Sequence, residues 1–231
     1  MNDADTKKAM RPLRELLVPS DRIVAFVGGG GKTCLMRALA KQLAGWGHKV
    51  LATTTTVIHP PRRNLLLVSA ARIPFYTHLT VGRTLDPDSG LLLGVAPEEV
   101  PDLRERFGAD VVLVEADAPS GRPVKAPAPG ELLVPLDTDL VVGVIGLDAL
   151  GRPAGEDTVL GLSRFVEITG LVPGEAIEPK HMEALAAHPE GLFRGVPATA
   201  RRVVFYNKAD AYDPIGQVFG SAHRGWFIRR R

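Results

Sequence analysis

The sequence predicts an α/β protein with a three-layer, mostly parallel sheet. Three observations support this prediction. Short apolar runs rich in Val and Ile, typical of buried strands, recur along the 231 residues. Helical patterns follow several of these runs, as in the strand–helix–strand units of a parallel sheet. Glycines, acids and an Asn-Lys pair come directly after predicted strands, and such sheets bind ligands at the carboxyl ends of their strands.

The composition is that of a single globular domain over residues 1–231, with 45% hydrophobic and 23% charged residues. The net charge of +2 gives no reason to expect nucleic-acid binding. No apolar run is long enough to span a membrane, and the first residues lack an apolar signal region, so we expect a cytoplasmic protein. The single cysteine, Cys34, excludes an internal disulfide, and we expect its thiol to be buried.

Residues 23–33, IVAFVGGGGKT, predict a strand, a glycine loop (Gly28–Gly31) and the start of a helix. This is the context of a phosphate-binding loop, because glycine lets successive N–H groups converge on an anion and the helix N-terminus adds further donors. Lys32 would bring a catalytic charge to the outer phosphates, and Thr33 a ligand for Mg²⁺. The predicted nucleotide-binding residues are Gly28, Gly29, Gly30, Gly31, Lys32, Thr33 and Cys34.

The loop departs from two known patterns. The general form G-x-x-x-x-G-K-[ST] has glycine where this chain has Phe26. The form K-G-G-x-G-K-T, found in dimer-forming ATPases of the MinD and ArsA type, has lysine where this chain has Val27. A glycine-rich turn followed by a chance Lys-Thr is therefore the alternative interpretation. The strand and helix predicted on either side favour phosphate binding.

Two acids follow another predicted strand. Residues 110–114 are apolar after the first position, and Glu115 and Asp117 come at the end of this run. Residues two apart on a strand share a face, so both carboxylates can point into one site. We predict that both are catalytic and that they support Mg²⁺ together with Thr33. Two surface acids at the end of a strand are the alternative.

A third apolar strand, predicted over residues 203–206, ends in Asn207-Lys208-Ala209-Asp210. This is the N-K-x-D form with which GTP-binding proteins recognise guanine. The carboxylate of Asp210 can accept hydrogen bonds from N1–H and N2–H₂ of guanine, whereas adenine offers neither donor in that geometry. Lys208 would lie along the base, and Asn207 would brace the loop. The motif favours GTP over ATP, and an ordinary turn after a strand is the alternative.

Five further residues are candidates for contact with an anionic substrate. Thr54 and Thr55 belong to a run of threonines at the end of a predicted strand, and His59 follows them. Arg122 and Lys125 lie in a proline-rich loop that is predicted to cross the ligand edge of the sheet. Hydroxyls and cations can hold phosphate or an attacking water. The β propensity of threonine and a solvated loop account for these residues equally well.

The remaining pattern completes the predicted fold. A β-hairpin around Asp86–Gly90 is predicted as an insertion over about residues 79–96, and an abbreviated C-terminus is predicted after residue 211. The other predicted elements are a short helix over 12–18, strands over 49–53, 64–70, within 139–151 and near 217–219, and helices over 97–107, 158–169 and 179–187.

With these motifs in place, the chain resembles the YqeC family of selenium-dependent hydroxylase accessory proteins. The resemblance is carried by VGGGGKT, ATTTTVIHP, VLVEADAPSGRPVKAPAPGELLVP, HPEGLFRGVPATAR and FYNKAD. It implies a role in the maturation of molybdenum-dependent hydroxylases. A strand ending in Glu beside a phosphate loop is also similar to the GTPases that insert nickel into hydrogenase and urease, which are accessory proteins too.

We therefore expect a phosphate-loop NTPase-like domain that binds Mg²⁺ and GTP or ATP. Hydrolysis would be slow, because no arginine finger can be assigned. Two alternatives stay open: a kinase or nucleotidyl transferase acting on a cofactor precursor, and a non-catalytic, nucleotide-gated carrier. The expected partners are a purine nucleotide and a molybdenum hydroxylase or its cofactor machinery. The sequence does not indicate the oligomeric state.

Overall fold

The computed structural model describes residues 13–208 and 226–229. The strands are β1 (Ile23–Gly28), β2 (Val50–Thr54), β3 (Val57–Ile58), β4 (Leu65–Leu67), β5 (His78–Gly82), β6 (Thr84–Leu85), β7 (Leu92–Leu93), β8 (Val111–Glu115), β9 (Val124–Lys125), β10 (Leu140–Gly146), β11 (Val159–Leu160), β12 (Arg201–Asn207) and β13 (Trp226–Arg229). The α-helices are α1 (Lys32–Gly45), α2 (Val100–Phe107), α3 (Leu162–Thr169) and α4 (Pro179–Ala187), and the 3-10 turns are Leu13–Leu16, Pro97–Glu99 and Leu147–Ala149.

An eight-stranded sheet in the order β13-β12-β10-β1-β8-β2-β5-β4 forms the centre of the molecule. Its pairings are parallel except that β13 runs antiparallel to β12. The order places β1 between β10 and β8, with β12 on the far side of β10. The carboxyl ends of these four strands therefore meet at one edge, where parallel sheets bind ligands. The glycine loop, the two acids and Asn207 all lie at this edge.

Alternation along β1 divides the core into two layers of side chains. Ile23, Ala25 and Val27 pack on the face covered by α2, α3 and α4, whereas Val24 and Phe26 pack on the face covered by α1. Every residue of β1 is buried, as expected of a parallel strand that is covered on both sides. The three-layer α/β fold with a mostly parallel sheet is confirmed.

The predicted helices over residues 97–107 and 179–187 are confirmed, the first as a 3-10 turn that continues into α2. The helix predicted over residues 158–169 begins only at Leu162, because Val159 and Leu160 pair with β9 as strand β11. The helix predicted over residues 12–18 is a single 3-10 turn. In the described part of the chain, no helix has both the length and the apolar character needed to cross a membrane.

The predicted hairpin is present but shorter than expected. Strands β6 and β7 form it, and β3 adds a third strand to β7. Strand β5 falls largely within the predicted insertion, yet it pairs with β2 in the main sheet, because Leu79 and Val81 belong to the core. The predicted strand near residues 217–219 lies outside the described residues.

Candidate functional site

The glycine loop begins later than the general pattern requires. Strand β1 continues through Gly28, and only three residues, Gly29–Gly31, separate it from α1. Phe26, which stands where the general pattern has glycine, is fully buried in the core beneath α1. Phe26 in place of glycine therefore extends strand β1 and shortens the loop, but a glycine loop is still present before α1.

Close packing against β10 explains the glycines of this loop. Gly28 and Gly30 have φ values of 94° and 65°, which favour glycine. A Cβ atom on Gly28 would lie 2.4 Å from the Val144 carbonyl oxygen, and one on Gly30 would lie 2.3 Å from the Gly146 nitrogen. The Gly29 N–H donates to the Val144 carbonyl at 3.0 Å. This N–H group therefore bonds within the protein and is not free to bind an anion.

Donors suited to an anion lie in the first turn of α1. The Leu35 N–H donates to the Gly31 carbonyl at 3.1 Å, so the three N–H groups before it, of Lys32, Thr33 and Cys34, have no acceptor within the helix. Gly31 and Cys34 are exposed, which leaves this turn open to solvent. A phosphate could bind here, where the helix dipole also favours negative charge.

The prediction that the Cys34 thiol is buried is wrong. Leu35, Met36 and Leu39 form the face of α1 that packs on the sheet. Cys34 lies on the opposite face of the helix, where its side chain meets solvent.

The side chain of Lys32 folds back onto the glycine loop. Its Nζ atom donates to the Gly28 carbonyl at 2.6 Å and to the Ala118 carbonyl at 3.3 Å. Asp117 Oδ2 lies 3.9 Å away. Burial lowers the pKa of Lys32, although the nearby Asp117 and Glu115 act in the opposite direction. The amine would have to exchange the Gly28 carbonyl for phosphate oxygens in order to contact a nucleotide.

Thr33 and Glu115 contact each other directly. The Thr33 hydroxyl donates to the carboxylate, with Oγ1 2.7 Å from Oε2 and 3.0 Å from Oε1. Glu115 is only 1% exposed, and burial raises its pKa against the opposing effects of Lys32 and Thr33. A hydroxyl and a carboxylate are groups that Mg²⁺ accepts as part of its shell when phosphates and waters complete it. The Thr33–Glu115 pair therefore fits this ion.

Asp117 is fully buried and has protein partners on both oxygens. Oδ2 accepts the Gly28 N–H at 2.9 Å, and Oδ1 accepts from the Lys125 amine, which also pairs with Glu131. Asp117 thus anchors the glycine loop, and its predicted role as a metal ligand stays a prediction. Across residues 13–208 and 226–229, no group of three or more His, Cys, Asp and Glu side chains is arranged to hold a metal ion.

The end of β12 reaches the glycine loop. Asn207 Nδ2 donates to the Gly30 carbonyl at 2.8 Å, a contact between residues 177 positions apart in sequence. Lys208, with a φ of 59°, turns its amine to Asp148 Oδ2 at 2.7 Å. Asp210 lies outside the described residues. The two motifs that the sequence singled out therefore share one edge of the sheet.

Asp148 was not identified by the sequence analysis. It follows the apolar strand β10 just as Asp117 follows β8, so the same pattern of an acid after a buried strand could have identified it. Its pairing with Lys208 depends on the tertiary structure, which no local pattern conveys.

The threonines among the candidate substrate residues bond to the protein. Thr54 Oγ1 donates to the Glu115 carbonyl at 2.8 Å, and Thr55 Oγ1 donates to the Leu133 carbonyl at 2.7 Å. These bonds hold the end of β2 against β8 and against the proline-rich loop. Both hydroxyls therefore bond to backbone carbonyls and stabilise the strand ends.

The three basic candidates have different surroundings. The Lys125 amine is buried between Asp117 and Glu131, whereas the Arg122 guanidinium donates to the carbonyls of Ser120 and Glu156. The Arg122 carbonyl in turn accepts the Gly30 N–H at 3.0 Å, so this residue supports the loop through its backbone. His59 is exposed, and its carbonyl accepts from Arg37. Among the described residues, no hydrogen bond or ion pair joins the His59 side chain to the glycine loop.

Comparison with known proteins gives the family. The family model described as YqeC protein matches residues 24–163. A relative from Escherichia coli (strain K12), described as "Uncharacterized protein YqeC", is 34% identical over 193 residues, which are 80% of this chain and 75% of the relative. The chain belongs to the YqeC family. The part matched by the YqeC model contains the glycine loop, Lys32, Thr33 and both acids, whereas Asn207 lies beyond it. No solved structure matches this YqeC protein.

Proposed function

We propose that this YqeC protein binds a purine nucleoside triphosphate together with Mg²⁺, prefers GTP to ATP, and hydrolyses the nucleotide slowly. The observation that carries the proposal is the hydrogen bond from Asn207 Nδ2 to the Gly30 carbonyl at 2.8 Å. It joins the N-K-x-D strand end to the glycine loop, so one nucleotide could reach both. The strand order brings these two strand ends to the same edge of the sheet, and the hydrogen bond joins them directly.

The first turn of α1 supports the phosphate half of the proposal. Its open N–H groups, the Lys32 amine and the Thr33 hydroxyl are the donors that phosphate-binding loops use. Thr33 and Glu115 would hold Mg²⁺, which would neutralise charge on the phosphates. Lys32 would leave the Gly28 carbonyl and bind an outer phosphate, and Asp117 would keep the loop in place through the Gly28 N–H.

The basic residues favour water over a second substrate as the acceptor. A kinase or transferase would need cations free to hold an anionic acceptor. Lys125 is enclosed by two acids, and the Arg122 guanidinium is committed to carbonyls. These contacts leave hydrolysis as the simpler reaction for this site.

Calorimetric titration with GTP and with ATP at a fixed Mg²⁺ concentration tests the proposal. We expect tighter binding of GTP, and a loss of about tenfold or more for both nucleotides in Lys32→Ala, since a charge-assisted hydrogen bond contributes about 1.5–3 kcal/mol. Asp210→Asn should weaken GTP alone. Lys41→Ala, an exposed lysine later in α1, is the matched control. Equal affinity for GTP and ATP that Asp210→Asn leaves unchanged would remove the guanine preference.

The biological setting follows from the family resemblance. We propose that nucleotide binding serves the maturation of a selenium- or molybdenum-dependent hydroxylase. Cells that lack the protein should then lose activity of such a hydroxylase, and wild-type protein should restore it whereas Lys32→Ala should not. Full restoration by Lys32→Ala would separate the maturation role from the nucleotide.

A further inference from the structure

Two buried acceptor atoms lie at the carboxyl ends of β10 and β12. Asn207 Oδ1 and Asp148 Oδ1 have no hydrogen-bond partner among the residues that the structure describes. Asn207 is only 2% exposed. Its Nδ2 donates to the Gly30 carbonyl, which can only accept, so the orientation of the amide is fixed and Oδ1 is the atom that lacks a donor. Buried acceptors of this kind normally have a donor.

Both atoms lie next to the glycine loop. Asp148 Oδ1 is 2.3 Å from the position that a Cβ atom on Gly146 would occupy, and the Gly30 Cα is 3.1 Å from the same position. Gly146 in turn pairs with Asn207 across the two strands. The missing side chain of Gly146 thus makes room for the Asp148 carboxylate to approach the loop.

Lys208 holds the other oxygen of the same carboxylate. Its amine donates to Asp148 Oδ2 at 2.7 Å, which orients the group and balances its charge. The two side chains are 39% and 25% exposed, so the pair borders on solvent while Oδ1 itself is buried. A ligand bound on the first turn of α1 could therefore reach Asp148 from the open edge of the sheet.

We propose that Asp148 is a specificity-determining residue that accepts a hydrogen bond from the nucleoside half of the ligand, and that Asn207 Oδ1 is a second acceptor beside it. This inference rests on the proposed function. It identifies residues that would contact the nucleoside half of the nucleotide, which the phosphate loop does not bind. A carboxylate and an amide oxygen select a group with N–H or O–H donors. The amino group of guanine and a ribose hydroxyl both meet this requirement. A ligand that presents an acceptor at this place is rejected.

Titrations of wild-type protein, Asp148→Ala and Asp148→Asn with GTP test the inference. Three analogues that each lack one donor identify the group: ITP lacks the 2-amino group of the base, and 2′-deoxy-GTP and 3′-deoxy-GTP each lack one hydroxyl. Asp88→Asn is the control, because this exposed acid lies in the hairpin. Asp148→Asn keeps the shape of the side chain and serves if the alanine variant fails to fold.

We expect Asp148→Ala to bind GTP about tenfold more weakly, the loss typical of a hydrogen bond to a charged group. For one of the three analogues, wild type and Asp148→Ala should bind equally well. The group that this analogue lacks is then the donor to Asp148. Unchanged GTP affinity in both Asp148 variants, or an equal loss against GTP and all three analogues, overturns the inference while the proposed function stands. Wild-type protein that binds no nucleotide refutes the proposed function and this inference together.

Discussion

At the scale of residues, the site is a set of buried charges that burial alone would disfavour. Lys32, Glu115 and Asp117 are each at most 4% exposed. Burial lowers the pKa of Lys32 and raises that of Glu115, and the attraction between the opposite charges only partly offsets these shifts. For Lys32 and Glu115, the cost of burial therefore outweighs the attraction to neighbouring charges. A ligand that brings phosphate and Mg²⁺ would give Lys32 and Glu115 stronger partners.

The raised pKa of Glu115 predicts how stability changes with pH. A group with a raised folded-state pKa adds stability below its ordinary value of 4.5, and this contribution is lost as pH rises through the folded pKa. Glu115→Gln does not titrate. Its melting temperature should therefore rise relative to wild type as pH increases from about 4 to about 8. Thermal denaturation without added Mg²⁺ measures this difference, and a constant or shrinking difference would contradict the prediction.

Glu131→Gln is the control, because the pKa of Glu131 is shifted in the opposite direction to that of Glu115. Burial raises the pKa of Glu131, but hydrogen bonds from Lys125 and the Ala128 N–H outweigh it and lower the pKa below 4.5. Its contribution to stability is present above that value and is lost as pH falls. The variant should thus melt below wild type at neutral pH, and the two should converge in acid.

At the scale of elements, the glycine loop depends on its contact with β10. Gly30→Ala places a Cβ atom 2.3 Å from the Gly146 nitrogen at a φ of 65°. We expect a loss of at least about 2 kcal/mol in the free energy of unfolding, from clash and backbone strain together. Urea denaturation measures it.

Gly45→Ala provides the matched control for the same substitution. Gly45 ends α1, and a Cβ atom there would meet nothing within 4 Å. Alanine should stabilise the protein by about 0.5–1 kcal/mol, because it restricts the unfolded chain. If Gly30→Ala is as stable as Gly45→Ala, the loop does not pack against β10 as described.

Strand ends could be predicted from sequence, but their partners could not. The apolar runs of β1, β8 and β12 and the polar residues after them are local patterns, and all three elements are confirmed. Whether the Gly29 N–H faces a ligand or the Val144 carbonyl depends on a strand more than a hundred residues away in the chain. The same holds for the burial of Lys125 between two acids and for the assignment of β5 to the main sheet.

At the scale of the whole molecule, strand order creates the site. Placing β1 between β8 and β10, with β12 next to β10, brings residues from four distant segments to one edge of the sheet. The sequence predicts each segment's chemistry and the parallel fold, and hence that ligands bind at this edge. The direct contact of Asn207 with Gly30, and the role of Asp148, require the register of β10 against β12.

The central claim is that the glycine loop and the end of β12 hold one nucleotide. Hydrogen–deuterium exchange with and without GTP and Mg²⁺ tests it most directly, because it reports both segments in one experiment. We expect slower exchange in the peptides that contain Gly31–Cys34 and in those that contain Asn207–Lys208. Lys32→Ala should lose the protection in both places. Protection of only one segment, or of neither at saturating GTP, would contradict the account.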